Sequence, residues 1–296
     1  MAKYHINSKG NPAVCRATKG QCPFGGADKH FESRKEAFWE AERRHKLAES
    51  ERLPINDRFI DEGFEVIDRR RSGRTDVEVL SRKNADGTTE TYVHRSSRRG
   101  KNVYDTYWDA DGKLHSFDDV PASVFMVLGD DGKPVHVTKE WYNHDKLHRN
   151  DAPAVIIDSK DNGRHLESWY NHGELHRDGE PAGFVYQDGQ LISESFWQHD
   201  NVHRGGGKPA VLTYHLGSGK LEREDYFTDG VLTREDDQPA RITYGESGEI
   251  REMEYFHNGK PHRDRGPARL VFDKNGQLLK EEYFVDGEKV AAPSIY

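Results

Sequence analysis

The chain has 296 residues, of which 33% are hydrophobic, 32% charged and 10% aromatic, with 28 glycines. Apolar residues recur to the end, which argues against disorder. No run approaches the ~18 apolar residues of a membrane helix, and two cysteines are too few for a disulfide framework. The net charge of −8 is uneven: residues 1–101 carry 22 Lys/Arg against 16 Asp/Glu, and residues 102–296 carry 22 against 36. That polarity predicts one end that meets an anion and another that stays solvated or meets a basic partner. The opening "MAKYHINSKG" has no apolar secretory core, so a cytoplasmic location is expected.

Residues 1–31 read as a small Cys/His module. It holds Cys15, Cys22, His5 and His30 among Gly, Pro and Asn, with almost nothing to form a core. A segment this small needs a staple to be ordered. Two thiolates and two imidazoles suit tetrahedral Zn²⁺, so His5, Cys15, Cys22 and His30 are the expected ligands of a structural zinc. The spacing Cys-x6-Cys-x7-His is not that of a standard finger. A Cys15–Cys22 disulfide, two free thiols, or a nucleophilic cysteine with His5 or His30 as base stay open. The run "KYHIN…GNP…CPFGG…HF" resembles an N-terminal module of proteins from actinobacteria and their phages. The resemblance implies a shared tag or adaptor and a phage or mobile-element origin, and no activity.

Residues 32–56 read as a helix and linker. Ser33 and Glu36 make a capping box and Pro54 blocks continuation. The apolar residues Ala37, Phe38, Trp39, Ala41, Leu47 and Ala48 form a poor stripe, so the helix is expected to rest on a sheet, solvated, or else to bind a partner.

Residues 57–107 read as a four-stranded meander, "FEVIDR", "TDVEVLSR", "TTETYVHR" and "NVYDTYW". Alternate turns of a meander lie at one end. Arg69, Arg70, Arg71, Arg74, Arg95, Arg98, Arg99 and Lys101 are therefore expected to form one basic edge. Such an edge suits nucleic acid or an acidic protein partner, with Tyr92, Tyr104 and Tyr107 near enough to stack on bases. The plain alternative is a charged edge that resists strand addition.

Residues 108–296 repeat. "WYNHDKLHRNDAPA" (141–154) recurs as "WYNHGELHRDGEPA" (169–182), "FWQHDNVHRGGGKPA" (196–210), "YFTDGVLTREDDQPA" (226–240) and "YFHNGKPHRDRGPA" (255–268). A weaker copy begins at Trp108 and a broken one at Tyr283, giving a period near 28. In each copy an aromatic pair leads to a turn whose residues tolerate positive φ, then a short return strand, a polar loop and Pro-Ala. Alternating stretches such as "AVLTYHL" and "ARITYG" follow as strands. One repeat is thus two hairpins, and stacked copies predict an elongated, twisted β-array with a mainly β fold.

The spacing aromatic–x3–Gly–x2–His resembles MORN repeats, and copies of the form WY-NG-LHR-DGPA resemble MORN-variant arrays of viral and bacterial proteins, over about residues 104–293. Arg149, Arg177, Arg204, Arg234 and Arg263 stand where MORN repeats place Gly, so the lipid roles of some MORN proteins are not implied.

Groups present in copy after copy suit a job done in every copy. Trp141, Trp169, His148, His176, His203, His262, Arg149, Arg177, Arg204 and Arg263 are therefore expected to be structural. Each His, with Thr233 and Ser116 replacing it in two copies, would bond its own loop. Each Arg would brace a nearby carboxylate such as Asp178 or Asp264. The turn residues His144, His172 and His199 become Asp229, Asn258 and Asp286 later, as ordinary turn positions do. No nucleotide, zinc-protease or hydrolase motif appears. The expected function is a non-enzymatic scaffold that binds a protein, in the phage setting a host factor such as a defence component. Nucleic-acid binding and a structural virion role are the alternatives, and no membrane partner is expected.

Overall fold

The computed structural model describes residues 4–6, 12–14, 60, 62–97, 101–117 and 119–293. The chain divides into two units, Met1–Phe64 and Glu65–Tyr296. In the first unit, Tyr4–Ile6 pairs antiparallel with Pro12–Val14. The predicted helix within residues 32–56 lies outside the described residues.

The second unit is one antiparallel sheet of 17 strands. Six strands come first: Glu65–Ser72, Thr75–Lys83, Thr89–Ser97, Asn102–Trp108, Ser123–Leu128 and Pro134–Glu140. Five hairpins follow: Val155–Ser159 with Arg164–Ser168, Gly183–Gln187 with Gln190–Ser195, Val211–Tyr214 with Leu221–Asp225, Arg241–Tyr244 with Ile250–Glu254, and Arg269–Phe272 with Leu278–Val285. Glu288–Val290 is the last strand. Among the described residues each strand pairs with its neighbours in this order, and no residue register joins Glu288–Val290 to Glu65–Ser72.

Five miniature hairpins stand outside this ladder, each following a repeat's leading aromatic: Tyr142–Asn143 with Lys146–Leu147, Tyr170–Asn171 with Glu174–Leu175, Trp197–Gln198 with Asn201–Val202, Phe227–Thr228 with Val231–Leu232, and Phe256–His257 with Lys260–Pro261. Their turns need two residues at positive φ, the geometry that matches strand twist. His144, His172, His199, Asp229 and Asn258 hold the first position at φ of 47–51°, and Asp145, Gly173, Asp200, Gly230 and Gly259 hold the second.

The repeat places two residues of each copy in the core. The leaders Trp141, Trp169, Phe196, Tyr226 and Tyr255 are buried, and so are Ala154, Ala182, Ala210, Ala240 and Ala268 of the Pro-Ala pairs. The two are joined through the backbone: Trp141 N–H donates to Ala154 O at 2.8 Å, and the other four pairs match it at 2.7–2.8 Å. Four of the five hairpins also carry a register shift near their turn, at Val185/Tyr186, Thr213/Tyr214, Thr243/Tyr244 and Val271/Phe272. Such shifts add local twist.

The core is not purely apolar. Asp105, His165, Glu167, Asp225 and Glu282 are buried. Asp225 accepts from Arg241 Nε at 2.5 Å and from Arg223 Nε at 2.9 Å. Hydrogen bonds from Lys289, Lys280 and Arg269 hold the Glu282 carboxyl down to about 2. Buried charges need such partners.

One boundary differs from the sequence reading. The strand read as "FEVIDR" does not end at Arg69: Arg70, Arg71 and Ser72 also lie within Glu65–Ser72, and only Gly73 and Arg74 form the connection. The ladder extends because Arg69 stands opposite Glu78 and Arg71 opposite Asp76, and opposite charges across a pair stabilise it.

Candidate functional site

The imidazoles repeated in the array tie each copy to the next. His148 Nδ1 accepts from the His172 N–H at 3.4 Å, and His176 Nδ1 from the His199 N–H at 3.4 Å. His203 Nδ1 accepts from the Asp229 N–H at 3.2 Å, and His262 Nδ1 from the Asp286 N–H at 3.0 Å. A backbone N–H can only donate, so Nδ1 is the acceptor in each of these bonds. Nε2 faces the residue two positions on: Asn150 at 3.2 Å, Asp178 at 3.1 Å and Asp264 at 3.0 Å. The expectation of bonds to the His residues' own loops therefore covers only Nε2. Thr233 reaches forward as well, its hydroxyl donating to Phe256 O at 3.4 Å. Ser116, read above as a substitute for His, occupies the arginine position, and His115 holds the imidazole position. The Ser116 hydroxyl accepts from the N–H groups of Tyr142 and Ala122.

The arginines cover the leading rings. Arg149 lies 3.7 Å over Trp141, Arg177 4.4 Å over Trp169, Arg204 3.7 Å over Phe196, Arg234 3.7 Å over Tyr226 and Arg263 3.8 Å over Tyr255. Each donates from Nη1 to the carbonyl of its own loop proline, Pro153, Pro181, Pro209, Pro239 or Pro267, at 3.2–3.5 Å. The cation stacks on the ring face while the fork fixes the loop. Asp178 and Asp264, expected to be braced by arginine, face His176 and His262 instead. Arg149 and Arg263 pair with Asp119 and Asp237 of the preceding copy, and Arg177 pairs with Glu180.

Of the eight residues expected to form the basic edge, Arg69, Arg70, Arg71 and Lys101 each face a carboxylate. Thr75 pairs with both Ser72 and Ser97, which puts the Gly73–Arg74 turn and the end of the strand Thr89–Ser97 side by side. Arg69 pairs with Glu78 at 2.6 Å, Arg70 with Asp68 at 3.0 Å, Arg71 with Asp76 at 2.8 Å and Lys101 with Asp130 at 2.7 Å. Arg95 donates to Thr106 Oγ1 and sits over Trp108. Arg74 is exposed, and Arg98 and Arg99 lie outside the described residues. Tyr92 and Tyr107 are buried and cannot stack on a ligand, whereas Tyr104 is exposed and stacked on Phe125.

An open groove of about 430 Å³ runs along this edge, lined by Arg69, Arg70, Arg71, Asp76, Glu78 and His94. His94 Nδ1 lies 2.7 Å from Asp105 Oδ1, which also accepts from Tyr92 OH at 2.7 Å. The bond to Asp105 raises the His94 pKa above its ordinary value, although burial opposes it. The groove thus presents an imidazole and arginines already paired with carboxylates.

Of the expected zinc ligands, His5 lies in the strand Tyr4–Ile6, and Cys15, Cys22 and His30 lie outside the described residues. The described residues bring together a different group whose side chains could hold a metal: Asp109, His115 and His144. Sequence reading missed it because its members come from two copies. The available signal was Asp109, an acid where the later copies carry Tyr142, Tyr170, Trp197, Phe227 and Phe256.

No helix among the described residues is long and apolar enough to cross a membrane. Comparison of the chain with models of known protein families and with curated proteins finds no match.

Proposed function

We propose that the chain is a non-enzymatic interaction protein whose β-repeat sheet binds another protein. The observation that supports this reading is where the repeated polar groups go. In His148, His176, His203 and His262 the Nδ1 atom is taken up by the next copy's turn, and in the five arginines the guanidinium is taken up by ring and loop. Side chains engaged in this way build the surface. Recognition then falls to positions that differ between copies, on a portion of the chain rich in carboxylates. A surface of that charge suits a basic patch on the partner, with association that weakens as salt rises. In the phage or mobile-element setting suggested by the N-terminal resemblance, the partner is a host factor such as a defence component.

The full chain, immobilised and exposed to host lysate, tests the proposal when mass spectrometry is followed by hydrogen exchange with the purified partner. The expected result is one enriched protein that protects amides on strands between Val155 and Val285. Retention of nucleic acid alone, or of nothing above background, would contradict it.

A further inference from the structure

The geometry points to a divalent transition-metal site built by Asp109, His115 and His144, with zinc the natural occupant. One ligand atom from each lies within 4.8 Å of the other two. Asp109 Oδ2 and His144 Nε2 are 3.4 Å apart. Two ligands bonded to tetrahedral Zn²⁺ at about 2.0–2.1 Å stand about 3.3 Å apart, so this edge has the size the metal requires.

Two atoms of the group are otherwise unaccounted for. Asp109 Oδ2 and His115 Nδ1 are both buried and neither has a hydrogen-bond partner. Orphaned polar atoms of this kind call for an explanation, and an ion is one. The contrast with the sister copies sharpens it. In the pairs His148/His172 and His176/His199, Nδ1 of the first ring accepts from the backbone of the second residue, and the rings are tilted by 34° or stacked at 28°. In His115/His144 the Nδ1 bond is absent and the rings meet at 66°. Only this copy has a carboxylate where the others have an aromatic ring.

The surroundings hold the ligands in place. Asp109 Oδ1 accepts from the N–H groups of Asp111 and Lys113 at 2.9 and 3.0 Å, leaving Oδ2 for the imidazoles. Asn143 Oδ1 lies 2.6 Å from His144 Nδ1, so Nδ1 carries the proton and the Nε2 lone pair is free. Leu114 and Asp145 exchange two hydrogen bonds, Leu114 N–H to Asp145 Oδ1 at 2.8 Å and Asp145 N–H to Leu114 O at 2.9 Å, which lock the two turns together. With three protein ligands and an exposed His144, a fourth position faces solvent. Two imidazoles and one carboxylate match zinc and its first-row neighbours rather than Ca²⁺ or Mg²⁺. The bound ion would clip the first copy to the second, where the later copies use a hydrogen bond.

The test uses the full chain with Cys15→Ser and Cys22→Ser, so that no thiolate competes. After chelator treatment, the protein is dialysed against zinc chloride and its zinc is measured. One equivalent is expected. His144→Asn in the same background keeps the residue that a sister copy uses at this turn, Asn258, and is expected to retain none; Asp109→Asn is expected to retain none as well. Asn143→Ala is expected to weaken zinc about tenfold. Circular dichroism of the metal-free variants confirms that they fold. No zinc on the parent, or zinc undiminished in His144→Asn and Asp109→Asn, would overturn the assignment.

Discussion

Asp286 N–H donates to Nδ1 of His262 at 3.0 Å, a bond that joins residues 24 positions apart and closes the last full copy onto the final hairpin. The same relation recurs at His203 and Asp229. Removing the ring leaves the turn amide to find water and deletes a well-placed acceptor. His262→Ala is therefore expected to cost about 1–2 kcal/mol in urea unfolding at neutral pH. His176→Ala should behave alike, and should lower stability more than partner binding. A variant as stable as the parent would show that the imidazoles are not ties.

Arginine at the stacked position is not replaceable by lysine. Arg149 covers Trp141 at 3.7 Å, reaches Pro153 O, and grips both oxygens of Asp119 at 2.7 and 2.9 Å. An ammonium keeps the charge and loses the flat face and the fork. Arg149→Lys is expected to cost about 1 kcal/mol, read as a lower thermal midpoint. Arg204→Lys, at a position where the arginine covers a ring and reaches a proline carbonyl, should cost less.

Two histidines give the stability curve two limbs. Burial disfavours the charged form of His165, but hydrogen bonds from its ring to the carboxylates of Asp158 and Glu167 outweigh it and push its pKa up to about 9. A raised value means that the imidazolium stabilises the fold. That contribution is full below the unfolded value of ~6.5 and is lost as pH rises through about 9, up to about 3 kcal/mol. His148 acts oppositely: burial, and then the neighbouring His172, hold its pKa below the ordinary value. Its contribution is present above ~6.5 and is lost as pH falls through its folded value. Urea unfolding across pH 5 to 10 should show a maximum near neutrality. His165→Gln should flatten the alkaline limb and leave the acid limb intact.

Much of this architecture was legible because it is local. The period of the leading aromatics, the left-handed turn positions and the Pro-Ala pairs are written within each copy, and the structure places them as turns and core. Other features depend on which strands meet. The Nδ1 partners lie 23–26 residues away, in the next copy, so a reading copy by copy assigned the imidazoles to their own loops. The buried carboxylates Glu167, Asp225 and Glu282 likewise depend on cross-strand neighbours. The matching of Arg69 and Arg71 by Glu78 and Asp76 was within reach, since a two-residue turn at Gly73–Arg74 fixes that register. The convergence of Asp109 with His144 was not, because it needs the spacing of two copies in three dimensions.

The basic edge gives a sharp expectation. Arg69, Arg70, Arg71 and Lys101 are already paired with carboxylates, so these four cations release fewer counterions from a phosphate backbone than free ones would. Gel-shift titration with short DNA and RNA at about 50 and 200 mM salt should show no salt-sensitive binding. Binding that falls steeply with salt and disappears in a triple Arg69→Gln, Arg70→Gln, Arg71→Gln variant would restore the nucleic-acid reading.

The claim that the repeated imidazoles build the array rather than serve a ligand rests on where one proton sits. Nuclear magnetic resonance on ¹⁵N-labelled protein reads it through the coupling across a hydrogen bond between two nitrogens. The account predicts a coupling between the Asp286 amide nitrogen and His262 Nδ1, with the ring proton on Nε2. A protonated Nδ1 and no coupling would contradict it.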